Sequence, residues 1–248
     1  MSRYGRHDVG FSVEESAPPS DALLCGFTNY GLAGLTAVDY LVDHLELEVT
    51  GHITTEGLPS ITPFAKGVPS HHTQLYSRDD LDVTLLKSEL FVPADMGKQL
   101  ADEIFDWTEG AGVDEVAVVQ GVPIQHGPEG HQTYYVATED YRERRLEETD
   151  IEPMGRGFLD GVNGGMVERG IDSPLGVGVY LTPVHEQMPD VEAALRLVET
   201  VDQVYDLDID TTPLEAFAEE VMRYYTDLAE RYTEAAEKED APVDRMYM

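Results

Sequence analysis

Basic residues are scarce in this sequence of 248 residues, which has 16 Lys and Arg against 49 Asp and Glu, a formal net charge of −33. Without a basic stripe to neutralise phosphates, we expect no binding to nucleic acid. The acidic residues are spread along the chain, whereas a protein that binds basic partners would concentrate them on one face. Molar salt screens such repulsion, because the Debye length falls to about 3 Å. This composition indicates adaptation to a salt-rich cytosol, such as that of a halophilic archaeon.

Long apolar runs are absent, and there is one cysteine. No run approaches the roughly 18–20 residues that span a bilayer, and residues 1–20 lack the apolar core of a signal peptide. We therefore expect a cytoplasmic protein with no membrane partner. Cys25 lies inside an apolar run, which favours a small buried side chain over a reactive thiol.

The common catalytic signatures are also missing. The sequence has no P-loop, no Gly-x-Ser-x-Gly elbow, no His-Glu-x-x-His and no paired cysteine ligands. The histidines at 71, 72, 126 and 131 lie in polar, loop-like contexts without a supporting carboxylate pattern. We expect a protein that is not an enzyme and holds no metal or cofactor.

Apolar runs that suit strands alternate with helical patterns along the chain. Buried strands are predicted near residues 21–27, 115–120 and 176–181, and helices over 94–109 and 190–205. This alternation predicts an α/β layered fold around a mixed, mostly parallel sheet. We expect an irregular N-terminal arm over residues 1–20, a single α/β domain over 21–238 that ends in two helices, and a flexible tail over 239–248.

A long last helix is predicted over residues 213–238. Thr212 suits its N-cap, Pro213 its first position, and Glu215 completes a capping box. Apolar residues then recur every seven positions: Leu214, Val221, Leu228 and Ala235. This stripe suits packing on the sheet or helix pairing between subunits.

A glycine-rich turn separates the first strand from the first helix. It contains Gly26, Asn29, Gly31 and Gly34. Such a turn can present free N–H groups to an anion, although the spacing misses the dinucleotide fingerprint. The favoured interpretation is structural, with glycines that permit a tight turn and close helix–sheet packing.

The sequence finishes with Met246, Tyr247 and Met248, after a polar, proline-containing stretch over 238–245. The stretch is too polar to pack and suits a mobile tether. The last three residues offer an apolar side chain, an aromatic hydroxyl and an α-carboxylate. A partner's pocket with a lysine and an apolar wall could bind all three.

Several segments, in order over residues 20–220, resemble the archaeal proteasome assembly chaperone family. The first is the turn from Gly26-Phe27 to Gly31-Leu32-Ala33-Gly34, although Thr28 stands where the family often has proline. The others are the strand at 116–121, the glycine region at 157–171, and the Pro-Asp-x-x-Ala-Ala helix start at 189–194.

The resemblance implies a phosphorylase-like, three-layer α/β/α fold, assembly into homo-oligomers, and ATP-independent help to proteasome assembly. It also implies that the tail docks on core-particle α-subunits. Met246 would fill an apolar slot, Tyr247 would pack and donate a hydrogen bond, and the Met248 carboxylate would pair with a lysine. Two alternatives stay open. One is a protein or enzyme that binds nucleotide or phosphate at the Gly31–Gly34 turn, and the other is an oligomeric scaffold without a proteasome role.

Overall fold

The computed structural model describes residues 9–124, 130–185, 189–221 and 223. Its strands are β1 (Gly10–Glu15), β2 (Ala22–Phe27), β3 (Glu48–Glu56), β4 (Phe64–Ala65), β5 (Val68–Pro69), β6 (Thr73–Ser77), β7 (Val83–Ser88), β8 (Glu115–Val122), β9 (Tyr134–Ala137), β10 (Glu152–Pro153) and β11 (Gly176–Pro183). The helices are α1 (Ala33–His44), α2 (Gly97–Ala111), α3 (Glu139–Arg145), α4 (Gly161–Ile171) and α5 (Val191–Tyr205). A further helix, α6, begins at residue 212 and is described as far as residue 223, apart from residue 222.

Nine strands form one mixed sheet in the order β1-β3-β6-β7-β2-β8-β11-β9-β10. The four central strands, β7, β2, β8 and β11, are parallel to one another. The strands on the β1 side pair antiparallel, as do β11 and β9. The predicted mixed α/β architecture is therefore confirmed, with its parallel part at the centre of the sheet.

Helices cover both faces of the central strands, which is why these strands read as continuous apolar runs. Every residue of β2 and β11 is buried. Because side chains alternate across a strand, Leu24 packs with α1 and α5 on one face, whereas Leu23 and Cys25 pack with α2 and α4 on the other. The protein therefore has two cores and the three layers that the resemblance implied.

The N-terminal arm is a correction to the sequence-based prediction. Residues 1–20 were expected to be irregular, but Gly10–Glu15 forms β1, which pairs antiparallel with β3 from Gly10 opposite Glu56 to Glu15 opposite Gly51. None of its six residues is fully buried, because β1 is an edge strand. Only Phe11 and Val13, two residues apart, pack against the core, so the strand has a short and weak hydrophobic pattern.

Helix α6 begins one residue earlier than predicted. The Leu214 and Glu215 N–H groups donate to Thr211 O, and the Thr211 hydroxyl donates to the Glu215 carboxylate, so Thr211 takes the capping place expected of Thr212. Leu214 and Ala218 are buried in the core formed by α1 and α5. The rest of the predicted helix and the tail at 239–248 lie outside the described residues, so pairing between subunits stays a prediction.

Candidate functional site at the carboxyl edge of the sheet

The glycine-rich turn leaves the carboxyl end of β2. The Asn29 side-chain oxygen accepts a hydrogen bond of 2.8 Å from Tyr30 N–H and starts a short 3₁₀ helix, Tyr30–Leu32. Gly31 has φ +63°, in the left-handed region that favours glycine. A Cβ there would also lie only 2.9 Å from the Cβ of Val184. Gly31 is therefore required by both its backbone conformation and its packing.

The other two glycines of the turn bring α1 against the sheet. A Cβ on Gly34 would overlap the carbonyl oxygen of Val119 in β8, and a Cβ on Gly26 would lie 2.5 Å from the carbonyl oxygen of Gly34. The close approach of α1 to the sheet therefore requires glycine at both positions. These contacts explain the glycines without a bound anion, so anion binding at this turn stays an alternative.

A cavity of about 490 Å³ opens beside this turn. Its walls come from the ends of β2 and β7 and from the start of α4. The lining residues are Phe27, Thr28, Asn29, Tyr30, Gly31, Leu32, Leu90, Phe91, Val92, Ala94, Asp160, Gly161, Val162, Asn163 and Pro189. Among the described residues of this lining, Asp160 is the single acidic one, and none is Lys, Arg or His. The described lining is therefore mainly apolar and offers no cation to hold a phosphate.

Exposed apolar side chains lie on the loops at the same edge of the sheet, and two of them, Tyr30 and Phe91, line the cavity. The strand pairings bring the ends of β2, β3 and β7 to this edge, together with the loops that follow them. Six of the exposed large hydrophobic residues among those described lie on these loops or just before α4: Tyr30, Ile61, Phe64, Val68, Phe91 and Phe158. We call these six residues the apolar face.

Part of the apolar face comes from a segment without acidic residues. Residues 57–78 contain no Asp or Glu, in a chain where 49 of 248 residues are acidic. Here β4 and β5 form a small hairpin whose turn residues, Lys66 and Gly67, both have positive φ, as a type I′ turn requires. The hairpin exposes 75% of Phe64 and 67% of Val68. Exposed apolar side chains grouped on one hairpin are typical of a protein–protein contact.

A buried carboxylate with two arginine partners lies at the opposite edge of the sheet. Glu115, at the start of β8, is 1% exposed, and its carboxylate accepts bonds from Arg144 (3.2 Å) and Arg145 (2.8 Å). The hydroxyl groups of Tyr141, Tyr180 and Tyr205 form a buried chain beside it. These hydrogen bonds hold α3 and α5 against the sheet, so we assign the cluster a structural role.

Other reactive groups show no catalytic arrangement in the part of the chain that the structure describes. Burial raises the pKa of the Cys25 thiol, which keeps it protonated. His52 and His71 stack with ring centroids 3.7 Å apart. Burial and the neighbouring His71 and His52 lower the pKa of His72. Within the described ranges, no group of three or more His, Cys, Asp or Glu residues could hold a metal ion.

Two further findings concern membrane spanning and the predicted partner-binding tail. Among the described residues, no helix is long and apolar enough to cross a membrane. The predicted partner-binding residues Met246, Tyr247 and Met248 lie outside the described part of the chain. The structure thus brings Gly26, Asn29, Gly31 and Gly34 together at one turn, and it adds the cavity and the apolar face, which the sequence did not predict.

Residues 23–229 match the PAC2 family. The match covers most of the chain, so the chain belongs to the PAC2 family. The comparison with curated proteins gives no match.

Solved structures share the fold at low sequence identity. A crystal structure of Pyrococcus furiosus PbaA, described as an archaeal homologue of proteasome-assembly chaperone, has a TM-score of 0.80 at 20% identity and covers 96% of this chain and 100% of its own. P. furiosus PbaB, described as an archaeal proteasome activator, has a TM-score of 0.72 at 19% identity, with coverage of 89% and 99%. A Mycobacterium tuberculosis proteasome-assembly chaperone homologue has a TM-score of 0.63 at 16% identity, with coverage of 83% and 94%.

Proposed function

We propose that this protein is a non-catalytic, ATP-independent proteasome assembly chaperone or proteasome-binding factor that acts in the cytoplasm. Membership of the PAC2 family over residues 23–229 carries the proposal. The likeness to structures described as a proteasome-assembly chaperone homologue and a proteasome activator supports it.

The carboxyl edge of the sheet supports a role in binding proteins. Interfaces have apolar centres that are poor in charge and rich in aromatic residues. The apolar face has that character, and Tyr30, Phe64, Phe91 and Phe158 supply four aromatic side chains. In the described residues, the buried Glu115 carboxylate is held by two arginines, which favours a structural role for it over a catalytic one.

The proposed partners are core-particle α-subunits, bound through the last three residues. Met246 fills an apolar slot, Tyr247 packs and donates a hydrogen bond, and the Met248 carboxylate pairs with a lysine of the partner. One such tail makes few contacts. Several tails on a homo-oligomer would gain avidity by a factor of roughly 10²–10⁴, so self-association is part of the proposal.

The test is capture of purified core particle by the intact protein in molar KCl. Changing Tyr247→Ala should abolish or sharply weaken capture, and Tyr247→Phe, which removes only the hydroxyl, should weaken it less. Val243→Ala, in the polar stretch before the tail, is the matched control and should bind normally. If deletion of residues 247–248 leaves capture unchanged, the tail does not carry the binding.

A further inference from the structure

The cavity at the carboxyl edge contains a buried amide that has no protein partner. Asn163, on the first turn of α4, is 5% exposed and lines the cavity. Its side chain forms no hydrogen bond with any described residue, whereas Asn29, also in the lining, bonds to Tyr30 N–H. No fully enclosed side-chain nitrogen or oxygen in the described residues lacks a partner. The free amide of Asn163 is therefore open to the cavity.

The start of α4 adds unpaired main-chain donors beside this amide. The first bond at the start of the helix runs from Gly164 N–H to Asp160 O at 3.0 Å. The N–H groups of residues 161–163 precede it, and the Asp160 side chain makes no capping bond. All three of these residues line the cavity. The site thus offers donors from the main chain and both a donor and an acceptor from Asn163.

The charge of the lining decides which kind of ligand fits. Among the described lining residues, a phosphate would meet one carboxylate, Asp160, and no Lys, Arg or His. The chain's net charge of −33 would repel it further. The remaining wall is largely apolar, with Phe27, Leu90 and Phe91 among its residues. A volume of about 490 Å³ lies within the range of small-molecule sites.

We propose that this cavity binds a neutral, planar small molecule whose ring carries an adjacent hydrogen-bond donor and acceptor, as a carboxamide or lactam does. The amide of Asn163 pairs with that edge of the ligand in the two-bond manner in which asparagine pairs with the edge of adenine. The ring lies against the apolar lining. This site does not depend on the proteasome role, and it differs from a phosphate or nucleotide site at the Gly31–Gly34 turn.

The experiment compares three probes of one shape in molar KCl. They are benzamide, which is neutral, benzoate, an anion, and benzamidine, a cation, each at millimolar concentration and followed by ligand-observed NMR. Benzamide should bind, and the two ions should bind at least about tenfold more weakly, a factor that matches the loss of a hydrogen bond or two. Asn163→Leu should weaken benzamide binding about tenfold. Gln203→Leu, which removes an exposed amide elsewhere, should not change it.

The melting temperature without probe separates a binding role from a structural one. Because the Asn163 amide has no partner among the described residues, Asn163→Leu should keep or raise the melting temperature. A lower melting temperature with unchanged benzamide binding would assign Asn163 to folding and overturn the proposal. Tighter binding of benzoate or benzamidine, or no binding of any probe to the wild type, would also overturn it.

Discussion

At Gly34 the main chain of α1 touches the main chain of β8. A Cβ at this position would overlap the carbonyl oxygen of Val119, and neither backbone is a flexible group that could move aside. Gly34→Ala should therefore destabilise the protein by about 1–3 kcal/mol or more. Gly110, near the end of α2, has open space around it. Gly110→Ala should therefore raise the free energy of unfolding by about 0.5–1 kcal/mol.

Urea unfolding in molar KCl, followed by circular dichroism, measures both changes. A Gly34→Ala variant as stable as the wild type would contradict the contact between α1 and β8. The pair also tests the structural interpretation of the turn, since a glycine needed only for ligand binding would tolerate alanine in the free protein.

Sequence reasoning reached the residues of the turn but missed Asn163. The turn follows a clear apolar strand and has a local signature, so Gly26, Asn29, Gly31 and Gly34 were found. Asn163 lies in a glycine-rich segment, and its burial comes from a contact between distant parts of the chain: a Cβ on Gly97 of α2 would overlap the main chain at Gly161 and Val162. No local pattern contains that contact.

The start of α5 illustrates how one residue determines where an element begins. Asp190 accepts hydrogen bonds from Ala193 N–H at 2.9 Å and His185 N–H at 3.0 Å. Burial alone would raise the pKa of Asp190, but these bonds and the His185 ring hold the pKa below its usual range. At neutral pH, Asp190→Ala should cost about 1–2 kcal/mol, as loss of a helix cap does. Glu192→Ala, in the same turn without a capping bond, should cost about 0.5 kcal/mol or less.

The pH dependence of this effect has a definite sign. A carboxyl whose pKa is lowered by folding stabilises the protein above its unfolded pKa of about 3.9, and that contribution is lost as pH falls through the folded value. The stability difference between wild type and Asp190→Ala should therefore be largest near neutral pH and shrink in acid. Urea unfolding of both proteins at several pH values measures it, and a constant difference would contradict the role of the ionised carboxylate.

At the scale of elements, central strands were easier to predict than edges. β2, β8 and β11 are buried on both faces, so each has a continuous apolar run that predicts a buried strand. β1 has only Phe11 and Val13 to mark it, and the β4–β5 hairpin depends on its pairing and on the turn at Lys66 and Gly67, so neither has a long hydrophobic pattern. The apolar face could not be predicted, because it exists only once the strand order brings separate loops to one edge.

The whole molecule has a net charge of −33, which opposes compaction at low ionic strength. Added salt should screen this repulsion, so the melting temperature should rise markedly between dilute and multimolar KCl. Thermal unfolding followed by circular dichroism over this range measures the effect. A melting temperature that does not change with KCl would contradict the inferred adaptation to a salt-rich cytosol.

The same charge restricts how two copies can meet. Acidic surfaces on both partners repel, so a homo-oligomeric contact should form where acidic residues are absent and apolar side chains are exposed. Residues 57–78 meet both conditions and expose Phe64 and Val68. A second candidate interface is the predicted stripe at Leu228 and Ala235, which lie outside the described residues.

Light scattering in high salt should therefore report a mass above 27.5 kDa for the wild type. Phe64→Glu places a carboxylate on the hairpin and should shift the protein toward monomer without changing its melting temperature, because Phe64 lies outside the core. Ile171→Glu is the matched control, since Ile171 is equally exposed but lies at the far end of α4. If Phe64→Glu keeps the wild-type mass while Leu228→Glu lowers it, the last helix is the interface. A wild-type mass of one chain at micromolar concentration would contradict self-association altogether, and avidity could then no longer strengthen tail binding to the core particle.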